Sequence, residues 1–351
     1  MKKMFLAIAA FALLVTSCNT ENEVDGKDKT AMTISLVAET STRTTTAVTQ
    51  AEENAVTSMT VLVFSAATNV FERKAEISGT TGKITDLTTG SKKIVVFANP
   101  SSTLKTQLGE VASYADLNDA SKVNLELISQ FQGPTDGSMN KTVGLTMTGE
   151  TTATLVSTAE NKVSLSVKRV VAKVKLGTLT ITPDAGYDKA KFTLVGVSMQ
   201  KVRSKSLTGI TSYLMPEGSP AQFNYMGGEL GSVSTTVDKR LDGSVVEGPN
   251  SEYFYVLPNN NDTGNCTLMT IEGTYDGKKQ YFVFRINDKA VAGEPATGKF
   301  IEANHFYTIN VTLKRLGDGS TDPDTPSDPA TLEVTITPEN WVVVPAQNVA
   351  W

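Results

Sequence analysis

Runs of β-branched and aromatic residues, each ended by a turn former, recur along most of this 351-residue chain and constrain its fold more than any other feature. In Met32-Thr33-Ile34-Ser35-Leu36 apolar and hydroxyl side chains alternate with a period of two, the pattern of a strand with one buried face. Val56 to Phe64 and Lys92 to Ala98 are denser apolar runs, the second closed by Asn99-Pro100. Further strands are expected at Val143–Met147, Val163–Leu176, Phe192–Val202, Tyr253–Leu257, Thr267–Tyr275, Gln280–Ile286 and Phe306–Leu313. One helical interlude is expected between Leu104 and Phe131, where Leu117, Leu125, Leu127 and Ile128 sit among polar residues. Short strands spaced by Gly, Asn, Asp and Thr turns over such a length predict an all-β chain of two sandwiches in tandem. The expected domains are 44–176 and 177–316, with the join just past Val170-Val171-Ala172-Lys173-Val174-Lys175-Leu176.

The first residues bear on the compartment. Lys2 and Lys3 precede an apolar run from Met4 to Val15, followed by Thr16-Ser17-Cys18. A charged start, a short apolar stretch and small residues before a cleavage point make residues 1–18 a secretory signal. Twelve or so apolar residues are too few to span a hydrocarbon core of about 30 Å as a helix. A Cys directly after a small residue has the form of a lipobox, in which Cys18 becomes a lipidated N-terminus. Only Cys18 and Cys266 occur, so acylation of Cys18 leaves no pair for an intrachain disulfide. Stability must then come from a packed core. Residues 19–30 are polar and mixed in charge, as a tether would be.

A formal net charge of -5 gives no electrostatic footprint for nucleic acid. Residues 317–330 carry three prolines, Pro323, Pro326 and Pro329, and almost nothing to bury, which predicts an extended, solvated linker. The 331–351 segment beyond the linker is unlike an ordinary frayed end. Its Leu332, Val334 and Ile336 alternate with Glu333, Thr335 and Thr337, and Trp341-Val342-Val343-Val344 comes after them. Both tryptophans of the chain, Trp341 and Trp351, lie here. Such a segment must pack on something, and a flexible linker before it means the partner need not be its own domain.

Signatures of catalysis and metal binding are weak. His305 is the only histidine, so no His-based metal cluster can be built, and its place at the start of an expected strand suits a structural or surface role. Gly79-Thr80-Thr81-Gly82-Lys83 is two residues shorter than a phosphate loop and opens onto strand-like residues, so a hairpin turn is expected there. Asp318, Asp322 and Asp324 are interrupted by Pro323 and lack a downstream Glu ligand, which spoils a calcium loop. No catalytic residue, metal or cofactor is expected.

The stretch Glu39-Thr40-Ser41-Thr42-Arg43-Thr44-Thr45-Thr46 places one cation among small hydroxyl side chains too polar for a core. Taken alone, Arg43 is either a solubilising loop charge or a protease-accessible peptide bond. Arg73, Arg169, Arg203, Arg240, Arg285 and Arg315 mostly lie in or beside strand patterns, where a protease would find them protected.

Together the Cys18 lipobox, the Arg43 stretch, the Val56–Phe64 strand, Arg169-Val170-Val171-Ala172-Lys173-Val174 and the Trp341–Trp351 strand resemble the major fimbrial subunits of Bacteroidales, the FimA/Mfa-type fimbrillins. The resemblance runs over essentially the whole chain in order and lies in the combination, since no single motif is diagnostic. It implies two transthyretin-like β-sandwich domains, export as a lipoprotein to the outer membrane, and removal of residues 19–43 by cleavage after Arg43, leaving Thr44 as the new terminus. It implies further that the strand bearing Met32, Ile34 and Leu36 is displaced, and that a donor strand of another copy, carrying Leu332, Val334, Ile336, Trp341 and Val343, refills the groove. In the precursor the first strand is expected to close an open sheet edge, and burying its three apolar side chains would contribute roughly 5 to 9 kcal/mol. Head-to-tail exchange does not close on itself, so it grows a filament. The implied partners are other copies of the chain, accessory fimbrial subunits, a processing protease, and host or bacterial surface receptors. The expected function is a stalk subunit of a cell-surface fimbrium. A monomeric surface lipoprotein adhesin, or a tip or anchor subunit binding glycan or host protein, is the alternative, and a secreted hydrolase is disfavoured by the residue inventory.

Overall fold

The computed structural model describes residues 28–37, 50–127, 143–210, 212, 223–226, 246–250, 253–259, 266–286, 301–316 and 332–340. In chain order the first half comprises β1 (Lys29–Leu36), α1 (Gln50–Glu53), β2 (Ser58–Ser65), β3 (Phe71–Ser78), β4 (Thr81–Thr88), β5 (Gly90–Ala98), α2 (Ser102–Gly109), β6 (Leu125–Glu126), β7 (Met147–Leu155), β8 (Asn161–Leu165) and β9 (Lys168–Arg169). The second half comprises β10 (Ala172–Ile181), β11 (Phe192–Arg203), β12 (Lys205–Ser206), β13 (Phe223–Met226), β14 (Gly248–Pro249), β15 (Tyr253–Val256), β16 (Leu268–Tyr275), β17 (Lys278–Arg285), β18 (His305–Leu313) and β19 (Leu332–Asn340).

In the first half a three-stranded sheet of order β4-β1-β8 faces a five-stranded sheet of order β3-β2-β5-β7-β9. Met32, Ile34 and Leu36 share one apolar cluster with Met59, Val61, Val63, Ile94 and Val96 of the larger sheet. The opposite face of that sheet is also covered. Leu62, Phe64, Val95 and Phe97 pack with Leu104 and Leu108 of α2 and with Leu117. A sheet buried on both faces needs apolar residues at consecutive positions, which is why β2 and β5 read as continuous runs while β1 alternates. The Ser101 hydroxyl starts α2 by accepting the Leu104 N–H at 3.2 Å. The expected helical interlude is thus α2 and a 3-10 turn at Tyr114–Asn118, after which the chain is extended again at β6.

The second half repeats this plan. Order β15-β10-β18 corresponds to β4-β1-β8, and β13-β11-β16-β17 corresponds to β3-β2-β5-β7. In each half the first strand lies parallel to a late one, β1 to β8 and β10 to β18. The second half adds β19 outside β18, antiparallel to it from Leu332↔Leu313 to Asn340↔His305.

Several expectations shift. The run from Val163 to Leu176 is three strands, and the change of sheet falls at Val170-Val171, so the expected join after residue 176 lies inside β10. The strand expected at Val143–Met147 begins only at Met147, because the Leu145 carbonyl is taken by the Asn99 side-chain amide at 3.0 Å rather than by a ladder partner. The turn at Gly79-Thr80 joins β3 to β4, but these strands belong to different sheets, so it is a corner between layers and not a hairpin. β3 is rich in charged residues and β4 in polar ones, and neither carries an apolar run that predicts a strand. They are the outer strands of their sheets, where polar side chains face water.

Candidate assembly site

Alternation of Met32, Ile34 and Leu36 places all three side chains on the inner face of β1, where they are 1%, 0% and 2% exposed. On one side β1 is antiparallel to β4, with Met32↔Ile84, Ile34↔Gly82 and Ser35↔Thr81. On the other it is parallel to β8, with Met32↔Asn161, Ile34↔Val163 and Leu36↔Leu165. The first strand therefore does not cap an open edge, as expected from the sequence, but fills the middle of a sheet. Without it, two strands lose a ladder each, and the inter-sheet core loses three side chains.

Polar contacts fix its register. The Asn161 side-chain amide, 7% exposed, donates to the Ala31 carbonyl at 2.8 Å and the Thr30 hydroxyl at 2.9 Å, while its oxygen accepts the Val156 N–H at 2.9 Å. At the other end Leu36 N–H donates to Thr80 O and Val37 N–H to Leu165 O, both at 2.9 Å. On the outer face Thr33 stands opposite Lys83 of β4 and Lys162 of β8, and the Thr81 hydroxyl donates to Ser35 Oγ at 3.3 Å. Nothing in the sequence marks Asn161 as a register residue, since it is 130 positions from Ala31.

One neighbour of β1, the β4 strand, is also anchored outside its own sheet. Buried Lys92 of β5 donates at 2.5 Å to both Glu72 Oε2 of β3 and the Thr88 hydroxyl of β4, tying β4 to the larger sheet.

Beyond β1 the next described element is α1, whose Glu53 is 2% exposed at the crossing between the two halves. Its carboxylate accepts from Lys173 Nζ and from the Tyr255 hydroxyl, each at 2.6 Å. Fully buried Arg169 donates to the Glu53 carbonyl at 3.3 Å, to Asn304 Oδ1 at 3.4 Å and to Asn54 Oδ1. Arg169 is thus enclosed, in keeping with its strand pattern, whereas Arg73 and Arg315 keep 46% and 42% of their side chains exposed despite lying in or beside strands. Arg43 and Thr44 lie outside the described residues, on the chain between these two anchored elements, and Cys18 and Arg240 lie outside them too.

At the other end of the chain β19 rests on its own β18. Val334 and Ile336 are half-buried against the second-half core, Glu333, Thr335 and Thr337 face water, and Glu333 meets Lys314 at 2.6 Å. Leu332 pairs with Leu313. Trp341 and Val343 lie outside the described residues, as do Asp318, Asp322 and Asp324. His305 opens β18 with its Nδ1 3.0 Å from the Ala303 carbonyl and its Nε2 3.3 Å from Glu302. Among the described residues no group of three or more His, Cys, Asp or Glu side chains is placed to hold a metal ion.

Residues 30–182 match the family model described as "Major fimbrial subunit protein (FimA)". Curated relatives include the "Major fimbrium subunit FimC" of Porphyromonas gingivalis, 25% identical over 235 residues, a span of 66% of this chain and 46% of that relative. Over residues 30–182 the chain is similar to the major fimbrial subunits of this family. It spans about half the length of the curated relatives it matches. Among solved structures, a fimbrilin (FimA) from Porphyromonas gingivalis superposes with a TM-score of 0.60 at 18% identity, covering 90% of this chain and 98% of that one. The tip fimbrial protein Mfa3 of the same organism superposes with a TM-score of 0.51 at 15% identity, covering 89% of this chain and 100% of that one. These likenesses establish the all-β, multi-sheet fold. The relatives named here are described as fimbrial subunits.

Proposed function

We propose that the chain is a stalk subunit of a cell-surface fimbrium, exported as a lipoprotein through Cys18 and activated by cleavage after Arg43. The observation that carries this reading is the interior position of β1, between β4 and β8. Cleavage between β1 and α1 would separate a lipid-bearing peptide from a body that keeps Glu53 fastened at the crossing between the halves. Departure of β1 would leave a groove with an unpaired ladder on each wall and an apolar floor. A segment with β1's alternation would satisfy all three surfaces, and Leu332-Glu333-Val334-Thr335-Ile336-Thr337 has it. The repeated strand order of the two halves supports two transthyretin-like domains, with the donor segment of the second held in cis on β18 until a neighbouring copy receives it. Donor and acceptor surfaces differ, so the copies join head to tail.

The partners on this reading are further copies of the chain, accessory fimbrial subunits, a processing protease and surface receptors. The lipidated precursor sits at the outer membrane and the processed form in the fimbrium. Trypsin treatment of the purified precursor should yield a new terminus at Thr44 and ladder-like oligomers on an unboiled gel. A chain ending at Ala330 should be cut in the same place, remain folded and form no ladder. Normal assembly of that shortened chain would refute the proposal.

A further inference from the structure

Strand exchange leaves open which residues of the tail enter the groove and what distinguishes the right register from its neighbours. On the exchange reading, three constraints from β1 select one alignment. The inner face takes apolar side chains at the positions of Met32, Ile34 and Leu36. A one-residue slip would turn Glu333, Thr335 and Thr337 inward. A slip that puts Val334 at the Met32 position brings Pro338 to the Leu36 position, where β1 donates its N–H to Thr80 O at 2.9 Å and proline has none to give. The opposite slip leaves only Ala330 to fill the space of Met32. With the tail running in the direction of β1, only the alignment of Leu332, Val334 and Ile336 with Met32, Ile34 and Leu36 fills all three positions and keeps the Thr80 bond.

In that alignment Glu333 falls where Thr33 now stands, directly opposite Lys83 on β4 and Lys162 on β8. Both lysines are exposed on the outer face of the sheet, so neither is committed to the core. Thr335 likewise falls at Ser35, opposite Thr81 and Ser164, where hydroxyl meets hydroxyl. We infer that Lys83 and Lys162 form a two-lysine acceptor for Glu333 of a second copy, and that this carboxylate specifies the register of the exchanged strand. The occupying β1 offers only the neutral Thr33 at that point, so the incoming tail makes contacts that the departing strand lacks. The carboxylate gives up its exposed partner Lys314 for two cations in one row, one on either side. Lys162 meets Glu160 at 3.2 Å, with both side chains mostly exposed, a contact too weak to compete.

Charge exchange on the full-length chain tests this. Glu333→Lys should slow elongation by about tenfold or more after cleavage with an arginine-specific protease, which leaves the new lysine uncut, since two favourable cross-strand pairs become two repulsive ones. Lys83→Glu/Lys162→Glu should be impaired to a similar degree. Mixed in equal amounts, the two variants should recover long ladders, because each tail then finds a groove of opposite charge in the other chain. The deficit of each variant alone should shrink as salt rises from about 0.05 M to about 0.5 M. Thermal melts of the uncut variants check that both fold. If Glu333→Lys alone assembles like the native chain, or if folded variants fail to recover in the mixture, the acceptor assignment is wrong while exchange itself stands. Failure of the native chain to assemble in the parallel sample removes both.

Discussion

The Glu53 carboxylate and the Lys173 ammonium meet at 2.6 Å with side chains only 2% and 8% exposed, and this pair joins α1 to the strand that opens the second half of the molecule. The Tyr255 hydroxyl completes the site at 2.6 Å, its pKa pushed far above the phenol range first by burial and next by the Glu53 charge, so it remains a hydrogen-bond donor. An ion pair of this kind is costly to break from one side, because the remaining charge stays buried.

Glu53→Ala is therefore expected to destabilise the precursor by about 3 to 5 kcal/mol, whereas replacing both partners with apolar residues of similar size should cost much less. Denaturant titration of the full chain reads both. Equal losses for the single and double variants would show that packing, not charge, holds this crossing.

Legibility from the sequence tracks the range of the interactions. Met32, Ile34 and Leu36 declare themselves because alternation is local, and the continuous runs of β2 and β5 do so because a two-faced sheet forces consecutive apolar residues. The partners of Glu53 do not: Lys173 and Tyr255 lie 120 and 202 positions away, and no local pattern links them. The change of sheet at Val170-Val171 is hidden for a different reason. Val170, Val171 and Ala172 are fully buried, so no turn former marks the point where the chain passes from one sheet to the other. The placement of β1 as an interior strand is equally out of reach, since alternation reports one buried face and says nothing about how many neighbours a strand has.

Gly149 of β7 offers a steric prediction. A Cβ at this position would lie 2.3 Å from the Ser166 carbonyl oxygen and 3.0 Å from Leu165 Cδ1, and the first of these is backbone, just past β8. Gly149→Ala should cost about 1 to 3 kcal/mol by forcing the two sheets apart near the end of the groove. Thermal melting of the precursor would reveal it, and an unchanged midpoint would mean that the turn after β8 yields freely.

Asp116 supplies a pH prediction. A hydrogen bond from Lys122 Nζ at 2.6 Å and, next, the Ala112 N–H at 2.9 Å hold its carboxyl down at about 2, against an ordinary value of 3.8. A depressed folded value means that the stabilisation is complete above the ordinary carboxylate range and disappears as pH falls through about 2. Asp116→Asn should flatten the acid limb of the stability profile below about pH 4 and lower stability at pH 7 by on the order of 1 to 2 kcal/mol. Denaturation midpoints measured from pH 7 to pH 2 test this, and parallel profiles for the two proteins would exclude Asp116 as a source of the slope.

Ile34 separates the precursor from the assembled state. It is fully buried in β1, between Gly82 and Val163, and truncating it to alanine should destabilise the uncut chain by about 2 to 5 kcal/mol. After processing, the altered residue would leave with the discarded strand, and Val334 of a neighbouring copy would occupy its place. Ile34→Ala is therefore expected to lower the melting temperature of the precursor while leaving that of the finished polymer at the native value, whereas Val334→Ala should weaken the polymer. Calorimetry on matched samples before and after trypsin distinguishes the two, and a polymer that inherits the Ile34→Ala deficit would mean that β1 never leaves.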